Sequence, residues 1–257
     1  AEVEVLVLDR PNPLGGDMIE GPMLRGEFSS FVGLYTLPMR HGLTMAEILS
    51  MINTREGIGC RIEIVKMKGW ERSMLFEETG LPWVLPSPNM PTPETAAVYP
   101  GMVMLEGTNI SEGRGTTRPF EIIGAPWIDG ETLARELSRY DLKGAAFRPL
   151  FFRPTFDKYS QEICGGVQVH VLDRKSFHPV RCGAAVIASA AKSYPNHFHW
   201  KEPPYEYEQK FPPIDILTGS SDLRETVEAA EDLTSLFKNW EKDEEKFTEE
   251  RRSFFLY

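Results

Sequence analysis

The first hundred residues alternate short apolar runs with amphipathic segments, which is the pattern of an α/β fold. The run VEVLVLD, from Val3, predicts a strand, and its unbroken apolar stretch Val5–Leu8 is typical of a parallel strand covered on both faces. LTMAEILSMIN predicts a helix with Thr44 as N-cap and Glu47 at N3. Its expected apolar face comprises Met45, Ile48, Leu49 and Ile52. CRIEIVKM and GMVMLEG predict two further strands.

A proline-rich segment, WVLPSPNMPTPETAAVYPG, separates the last two of these strands. It contains five prolines between Pro86 and Pro100. Proline lacks an amide donor and fixes φ, so we expect neither a central strand nor a helix interior here. The prediction is a stiff, ordered loop, and long loops in compact domains are usually functional.

The pattern changes after Ile128. DGETLARELSRY predicts a helix, GAAFRPLFFRPTF and GVQVHVLD predict two strands, and GAAVIASAAKSY predicts an alanine-rich helix. The last 36 residues predict one long amphipathic helix with an apolar stripe of Leu233, Leu236, Phe237, Trp240 and Phe247. We therefore divide the chain into an α/β part over residues 1–128 and an α+β part over residues 129–257.

Composition narrows the classes of partner. The 257 residues carry a formal net charge of −10, which would repel a nucleic-acid backbone, so no nucleic-acid partner is predicted. No apolar run reaches the length of a membrane span. The three cysteines, Cys60, Cys164 and Cys182, have neither disulfide-framework nor zinc-site spacing. They are expected to be buried thiols, with a single Cys164–Cys182 bridge as the alternative.

The loop LEGTNISEGRGTTRPFEIIGAPW, from Leu105, concentrates charged and amide side chains between glycines. It lacks the lysine of a P-loop and the spacing of a dinucleotide-binding loop. Its mixture suits a polyhydroxylated or carboxylate-bearing ligand; the polar side chains are Glu106, Asn109, Ser111, Glu112, Arg114, Thr116, Arg118 and Glu121. The alternative is a loop that satisfies itself, in which Arg114 and Arg118 pair with its own carboxylates.

Polar residues at two other positions add to this candidate site. Asp9 and Asn12 follow the first predicted strand, and ligands bind at the carboxyl ends of strands in open α/β sheets. Arg40 and His41 directly precede a helix N-terminus, which favours anions, although a lone histidine is more often structural. His197 and His199 have no third ligand nearby, so no metal site and no cofactor are predicted. With no GxSxG, HExxH or nucleophilic cysteine, hydrolysis would depend on carboxylates.

Several longer segments resemble the exo-β-N-acetylmuramidase (NamZ, YbbC-like) family. They are VLDRPNPLGG, EGP, FVGLYTLPMRHGLT, WVLPSPNMPT, YPGMVMLEGTNISEGRGTTRPFEIIGAPW and the final FLY. The resemblance extends from the first residue to the last. It implies that residues 1–128 are the later part of a Rossmann-like catalytic domain and residues 129–257 an auxiliary α+β domain, with the cleft between them.

The resemblance also implies a function and a set of site residues. Members release N-acetylmuramic acid from the non-reducing end of peptidoglycan fragments during cell-wall recycling, and are exported or lipid-anchored in bacteria. The expected partners are therefore muramic acid saccharides, and the expected location is extracytoplasmic. Glu106 and His41 are the catalytic candidates. The substrate-binding candidates are Asp9, Asn12, Arg40, Asn89, Asn109, Arg114, Thr116 and Arg118.

One departure from the family pattern sets an expectation about activity. The family's N-terminal Pro-Glu-His-Gly stretch, with the glutamate proposed as catalytic, has no counterpart in this sequence. We expect the isolated chain to supply part of the cleft and to be inactive or nearly so, with a preceding portion as its partner. The alternative is a non-catalytic peptidoglycan-binding protein that retains the cleft.

Overall fold

The computed structural model describes residues 3–257, which form a mixed α/β fold. The strands in these residues are β1 (Val5–Leu8), β2 (Glu20–Met23), β3 (Pro38–Arg40), β4 (Ile62–Val65), β5 (Ile122–Ala125), β6 (Ala145–Phe152) and β7 (Cys164–Val171). The α-helices are α1 (Met45–Arg55), α2 (Pro93–Met102), α3 (Gly130–Leu137), α4 (Pro179–Ser193), α5 (Pro213–Thr218), α6 (Asp222–Glu228) and α7 (Leu233–Arg251). Both parallel and antiparallel pairing occur, so the mixed α/β class is confirmed.

The N-terminal strands form two small sheets. β1 pairs with β4 in parallel, with Val5 opposite Ile62, and β2 pairs with β3 in antiparallel. The prediction that β1 is covered on both faces is wrong for the described chain: Val7 is buried, whereas Leu6 and Leu8 are 57% and 60% exposed. The physical reason is that β4 is the only strand paired with β1 among residues 3–257.

Helix α1 begins where the sequence predicts. Thr44 accepts a hydrogen bond from the amide of Glu47, and the Glu47 carboxylate accepts one from the amide of Thr44, which is the expected capping box. The predicted apolar face is displaced, because Met45 is exposed and Met51 is fully buried. This rotation turns the face toward a small core of Ile19, Leu43, Met51 and Phe247.

Two predictions for the proline-rich segment and the residues after it are wrong. Its second half is helix α2, in which Pro93 occupies the first turn, where no amide donor is needed, and Thr92 caps the helix. Pro100 lies in the last turn, just before the chain tightens into a 3₁₀ turn over Val103–Gly107. GMVMLEG is therefore the end of a buried helix and not a strand. Periodicity does not separate a short buried strand from a buried helical turn.

A three-stranded antiparallel sheet, in the order β5-β7-β6, packs against α3 and α2, and α4 packs on these two helices to complete the main core. The structure confirms the predicted strands β6 and β7 and the predicted helix α3. Strand β5 was not predicted from the sequence. Cys164 and Cys182 are buried free thiols, as expected, whereas Cys60 is a free thiol that is only half-buried. The division at residue 128 stays a prediction.

The C-terminal region contains two helices where one was predicted. The chain breaks between α6 and α7, where Ala230 adopts φ 54° and Asp232 caps α7. The end of α7 contacts the N-terminal part of the chain. Its last residue, the buried Arg251, donates to the carbonyls of Gly16, Asp17, His41 and Gly42.

Candidate functional site

A charged pocket of about 470 Å³ contains the central residues of the glycine-rich loop. Glu106 lies in the 3₁₀ turn that follows α2, which places its carboxylate at the pocket. One oxygen accepts from Arg114 Nη2 at 2.6 Å, and the other accepts from the Tyr205 hydroxyl at 2.6 Å. Glu106 is thus a carboxylate with a fixed orientation, positioned to accept hydrogen bonds from a polar ligand.

Behind this carboxylate lies a second, buried one. Glu112 pairs with Arg114 Nε at 3.2 Å and with Lys158 Nζ at 3.0 Å. Lys158 also donates to the carbonyls of Leu105 and Ile110, so all three of its hydrogen atoms have acceptors. Burial lowers the pKa of Lys158, and the Glu112 charge opposes that shift. The network fixes the loop's conformation from below the pocket.

The arginines of the loop are paired with its own carboxylates. Arg114 contacts Glu106 and Glu112, and its guanidinium lies over the Phe120 ring at 5.1 Å. Arg118 pairs with Glu121 at 3.3 Å. The self-satisfying pairing considered from the sequence is therefore present, and of the two loop carboxylates that line the pocket, Glu106 and Glu112, Glu106 is the more exposed.

A second, apolar pocket of about 200 Å³ contains three predicted residues: Asn12, Arg40 and His41. Its walls are largely aromatic, proline and methionine side chains, namely Pro13, Leu14, Met39, Trp83, Pro86, Met90, Ala96, Tyr99 and Pro100. The Trp83 indole donates to the carbonyl of Met90 at 3.1 Å, which fixes the ring. Aromatic walls with a few polar groups suit one face of a sugar ring.

His41 acts in this pocket as a hydrogen-bond donor. Its Nδ1 accepts from the amide of Leu43 at 3.0 Å, which places the proton of the neutral ring on Nε2. Burial, assisted by the Arg251 charge, lowers the pKa of His41 to about 4. The imidazole is therefore neutral near pH 7, and Nε2–H is available to a ligand oxygen.

Arg40 is buried with few partners. Its Nη2 donates to the carbonyl of Leu14 at 2.9 Å, and Nη1 contacts the sulfur of Met18 at 3.4 Å. Within residues 3–257, Nε has no partner and no carboxylate lies within 4.0 Å of the guanidinium. Burial lowers the pKa of Arg40, and the neighbouring Glu20 opposes that shift.

Tyr99 links the two pockets. It lines the apolar pocket, and its pKa is raised by burial and by the charge of Glu106, which lines the charged pocket. Tyr99 also packs edge-on against Phe120, the ring beneath Arg114. Through Phe120, Tyr99 therefore connects the apolar pocket to Arg114 of the charged pocket.

The other predicted residues have framework contacts. Asp9 is buried and accepts from the amide of Ala46 and the hydroxyl of Tyr257. Asn109 bonds to the backbone of His197 and His199. The Thr116 hydroxyl donates to the carbonyl of Gly113, and Asn89 is half-buried beside the apolar pocket. Their roles in binding stay predictions.

Nearly the whole chain matches one family of known proteins. The family model described as "Exo-beta-N-acetylmuramidase NamZ, C-terminal" matches residues 97–257, and the corresponding N-terminal model matches residues 1–94. The chain belongs to the NamZ family.

A curated NamZ relative from Bacillus subtilis, named peptidoglycan beta-N-acetylmuramidase, is 43% identical over 255 residues. The match covers 99% of this chain and 60% of the relative, so the chain spans about three-fifths of the relative's length. A crystal structure of a DUF1343 family protein from Bacteroides fragilis superposes with a TM-score of 0.89 at 33% identity. It covers 99% of this chain and 66% of that one. Another from the same organism has a TM-score of 0.73 at 24% identity, with the same coverage, and supports the fold.

Three site residues of this NamZ-family chain were missed from the sequence. Tyr205 lies 99 positions from Glu106, and Lys158 lies 46 positions from Glu112. Both come from loops without a recognisable motif, and only the fold brings them to the pocket. Tyr99 was hidden in the segment predicted as a loop, although it lies on α2 seven residues before Glu106, which follows in the 3₁₀ turn.

Among residues 3–257, no group of three or more histidine, cysteine, aspartate or glutamate side chains is arranged to hold a metal ion. The helices that the structure describes include none long and apolar enough to cross a membrane.

Proposed function

We propose that the protein is an exo-β-N-acetylmuramidase that releases N-acetylmuramic acid from the non-reducing end of peptidoglycan fragments, with this chain supplying part of the cleft. The sequence match to a peptidoglycan beta-N-acetylmuramidase supports this proposal over a non-catalytic binding protein. The observation that carries it is the neighbouring arrangement of a fixed carboxylate, Glu106, and an aromatic pocket containing Arg40.

Arg40 is the residue that we propose binds the carboxylate of the substrate sugar. N-Acetylmuramic acid differs from N-acetylglucosamine by a lactyl ether carboxylate, for which Arg40, Arg114 and Arg118 are the candidate partners. Arg114 and Arg118 are paired with carboxylates, whereas Arg40 has no carboxylate partner in the described chain. A guanidinium that has a charge but no counter-charge favours an acidic ligand.

Glu106 and His41 are the proposed polar groups on either side of Tyr99. Glu106 accepts hydrogen bonds from a ligand or assists proton transfer, and His41 donates from Nε2. Glycosidases commonly use two carboxyl groups. Since the chain spans 60% of the B. subtilis relative, we propose that the cleft is completed by further sequence and that hydrolysis by the isolated chain is slow or undetectable.

The parallel pair β1–β4 is proposed to belong to a larger Rossmann-like sheet. Two-stranded parallel sheets are rarely stable alone, and parallel strands are normally covered on both faces. The exposed side chains of Leu6 and Leu8 provide an apolar surface for that completion. We also propose an extracytoplasmic location, where peptidoglycan lies.

The test compares binding with hydrolysis. Calorimetric titration should show that the protein binds N-acetylmuramic acid more tightly than N-acetylglucosamine. Arg40→Ala should weaken binding of the acidic sugar about tenfold or more, whereas Arg118→Ala should leave it unchanged. Hydrolysis of a chromogenic muramic acid glycoside should require joining the chain to the segment of the relative that it does not span. Equal binding of both sugars would contradict the proposed preference for N-acetylmuramic acid. Rapid hydrolysis by the isolated chain would contradict the proposal that further sequence completes the cleft.

A further inference from the structure

A basic pocket of about 140 Å³ adjoins the apolar pocket, because Leu14 and Arg40 line both. Four cationic side chains, Arg40, Arg72, Arg174 and Lys175, line it against one carboxylate, Asp17. This local excess of positive charge contrasts with the net charge of −10 on the whole chain. A concave surface of one sign concentrates ions of the opposite sign.

The buried charge of Arg40 has little compensation inside the protein. Glu20 lies opposite Arg40 in the β2–β3 register, but burial raises the pKa of Glu20 to about 8. At neutral pH this carboxyl is therefore mostly protonated and supplies little negative charge. A buried guanidinium without a counter-charge is costly, so an anion at the pocket would stabilise the folded protein.

The other cations divide into two fixed groups and one free group. Arg72 pairs with Glu47 and donates to the carbonyl of Gly42, and Arg174 pairs with Glu77 and Glu94. Lys175 is exposed and has no ion pair with any residue from 3 to 257. Among residues 3–257, Arg40 and Lys175 therefore have no ion pair, and the Asp17 carboxylate at the same pocket offsets one of their two positive charges.

We propose that the basic pocket binds a small oxyanion, a carboxylate or phosphate group, between Arg40 and Lys175. Its volume of about 140 Å³ corresponds to roughly four to five water molecules of liquid, which suits such a group. Planar Arg provides directed donors and Lys provides a point charge. The oxyanion has two sources: the acidic substituent of a sugar in the apolar pocket, or free inorganic phosphate. Only the first source rests on the proposed function.

The binding test uses inorganic phosphate and calorimetry at constant ionic strength. Lys175→Gln should weaken phosphate binding about fivefold to tenfold, because it removes one of the two lining cations that have no ion pair. Lys246→Gln removes an equally exposed lysine from α7 and should leave the affinity unchanged. Arg40→Lys keeps the charge but removes the planar donors, and should also weaken binding. Absence of saturable phosphate binding, or equal loss in both lysine variants, would overturn the proposal.

A competition experiment separates the two sources. If the substituent occupies the pocket, saturating phosphate should weaken binding of N-acetylmuramic acid and leave binding of N-acetylglucosamine unchanged. Phosphate binding without competition assigns the pocket to the free ion and supports the site all the same. Since phosphate binding requires no hydrolysis, its absence leaves the proposed glycosidase function intact, and loss of sugar binding alone leaves the oxyanion site intact.

Discussion

At the charged pocket, the guanidinium of Arg114 pairs with two carboxylates, Glu106 and Glu112. We expect Arg114→Ala to lower the free energy of unfolding by roughly 2 to 4 kcal/mol, because it leaves the buried Glu112 with a single ion-pair partner. Urea denaturation measures this change. Arg252→Ala is the control: its side chain is 60% exposed, and loss of its pair with the exposed Glu249 should cost about 1 kcal/mol or less.

The comparison of these two variants also distinguishes binding from structure. If Arg114 is mainly structural, Arg114→Ala should lower the free energy of unfolding, while the affinity of the folded variant for the sugar changes by less than twofold. If Arg114→Ala is no more destabilising than Arg252→Ala, the ion pairs with Glu106 and Glu112 do not hold the loop. Arg114 would then be free to serve the ligand directly.

Glu20 should make stability depend on pH. Its carboxyl is fully buried beside Arg40, Arg181 and Glu244, and desolvation raises its pKa from 4.5 to about 8. Between pH 4.5 and pH 8, the Glu20 carboxyl is protonated in the folded protein and ionised in the unfolded chain. The free energy of unfolding therefore falls as the pH rises through this range. Glu20→Gln should remove that loss and gain roughly 2 to 4 kcal/mol at pH 8 relative to pH 5.

The measurement for Glu20 is urea denaturation at several pH values, with Glu245→Gln as a surface control. The glutamine keeps an oxygen to accept from the amide of Arg181, which Glu20 now does at 2.8 Å. Parallel stability curves for Glu20→Gln and the unsubstituted protein between pH 5 and pH 8 would show that the carboxyl ionises normally in the fold.

At the level of elements, the contact between α2 and α4 depends on glycine. A Cβ at Gly101 would lie 1.7 Å from the carbonyl oxygen of Pro179. Alanine normally favours a helix over glycine by about 1 kcal/mol, but here we expect Gly101→Ala to destabilise by roughly 2 kcal/mol or more because the helices must separate. Thermal unfolding would test the sign. Gly26→Ala, where no atom lies within 4 Å of the new Cβ, is the control and should be close to neutral.

Elements with local signals were predictable, and elements fixed by packing were not. The Thr44–Glu47 capping box and the alternation in β7 depend on neighbouring residues, so sequence alone locates them. Helix α2 depends on its burial against α4, and its prolines argued against a helix. The break before α7 depends on Ala230 at positive φ, which its side chain does not signal.

The candidate site follows the same division. Glu106, Arg114 and Glu112 are close in sequence, and the loop's composition identified them together. Arg40 and His41 were found from their place before a helix. Tyr205 and Lys158 reach the same pocket from distant loops, so no local pattern could connect them to Glu106 or Glu112.

For the molecule as a whole, the C-terminal residues hold the N-terminal α/β part against α7. The Tyr257 hydroxyl donates to Asp9 at 3.0 Å and accepts from the amide of Met67, and the amide of Leu256 donates to Glu47. These bonds join the last residues to the loops that follow β1 and β4 and to the cap of α1. The first and last segments of the chain should therefore open together.

Tyr257→Phe tests this coupling, because it removes both hydroxyl bonds and retains the ring that packs edge-on against Trp70. We expect a loss of about 1 to 2 kcal/mol and faster amide hydrogen exchange in β1, α1 and β4, with β6 and β7 unchanged. Tyr207→Phe is the matched control, since that ring is 81% exposed and its hydroxyl has no bond to residues 3–257. Hydrogen exchange is measured by mass spectrometry. Equal changes in every sheet, or an equal effect of Tyr207→Phe, would contradict a local role of the Tyr257 hydrogen bonds. Faster exchange confined to the N-terminal strands would show that the last residue stabilises the wall of the site that contains Asn12, Arg40 and His41.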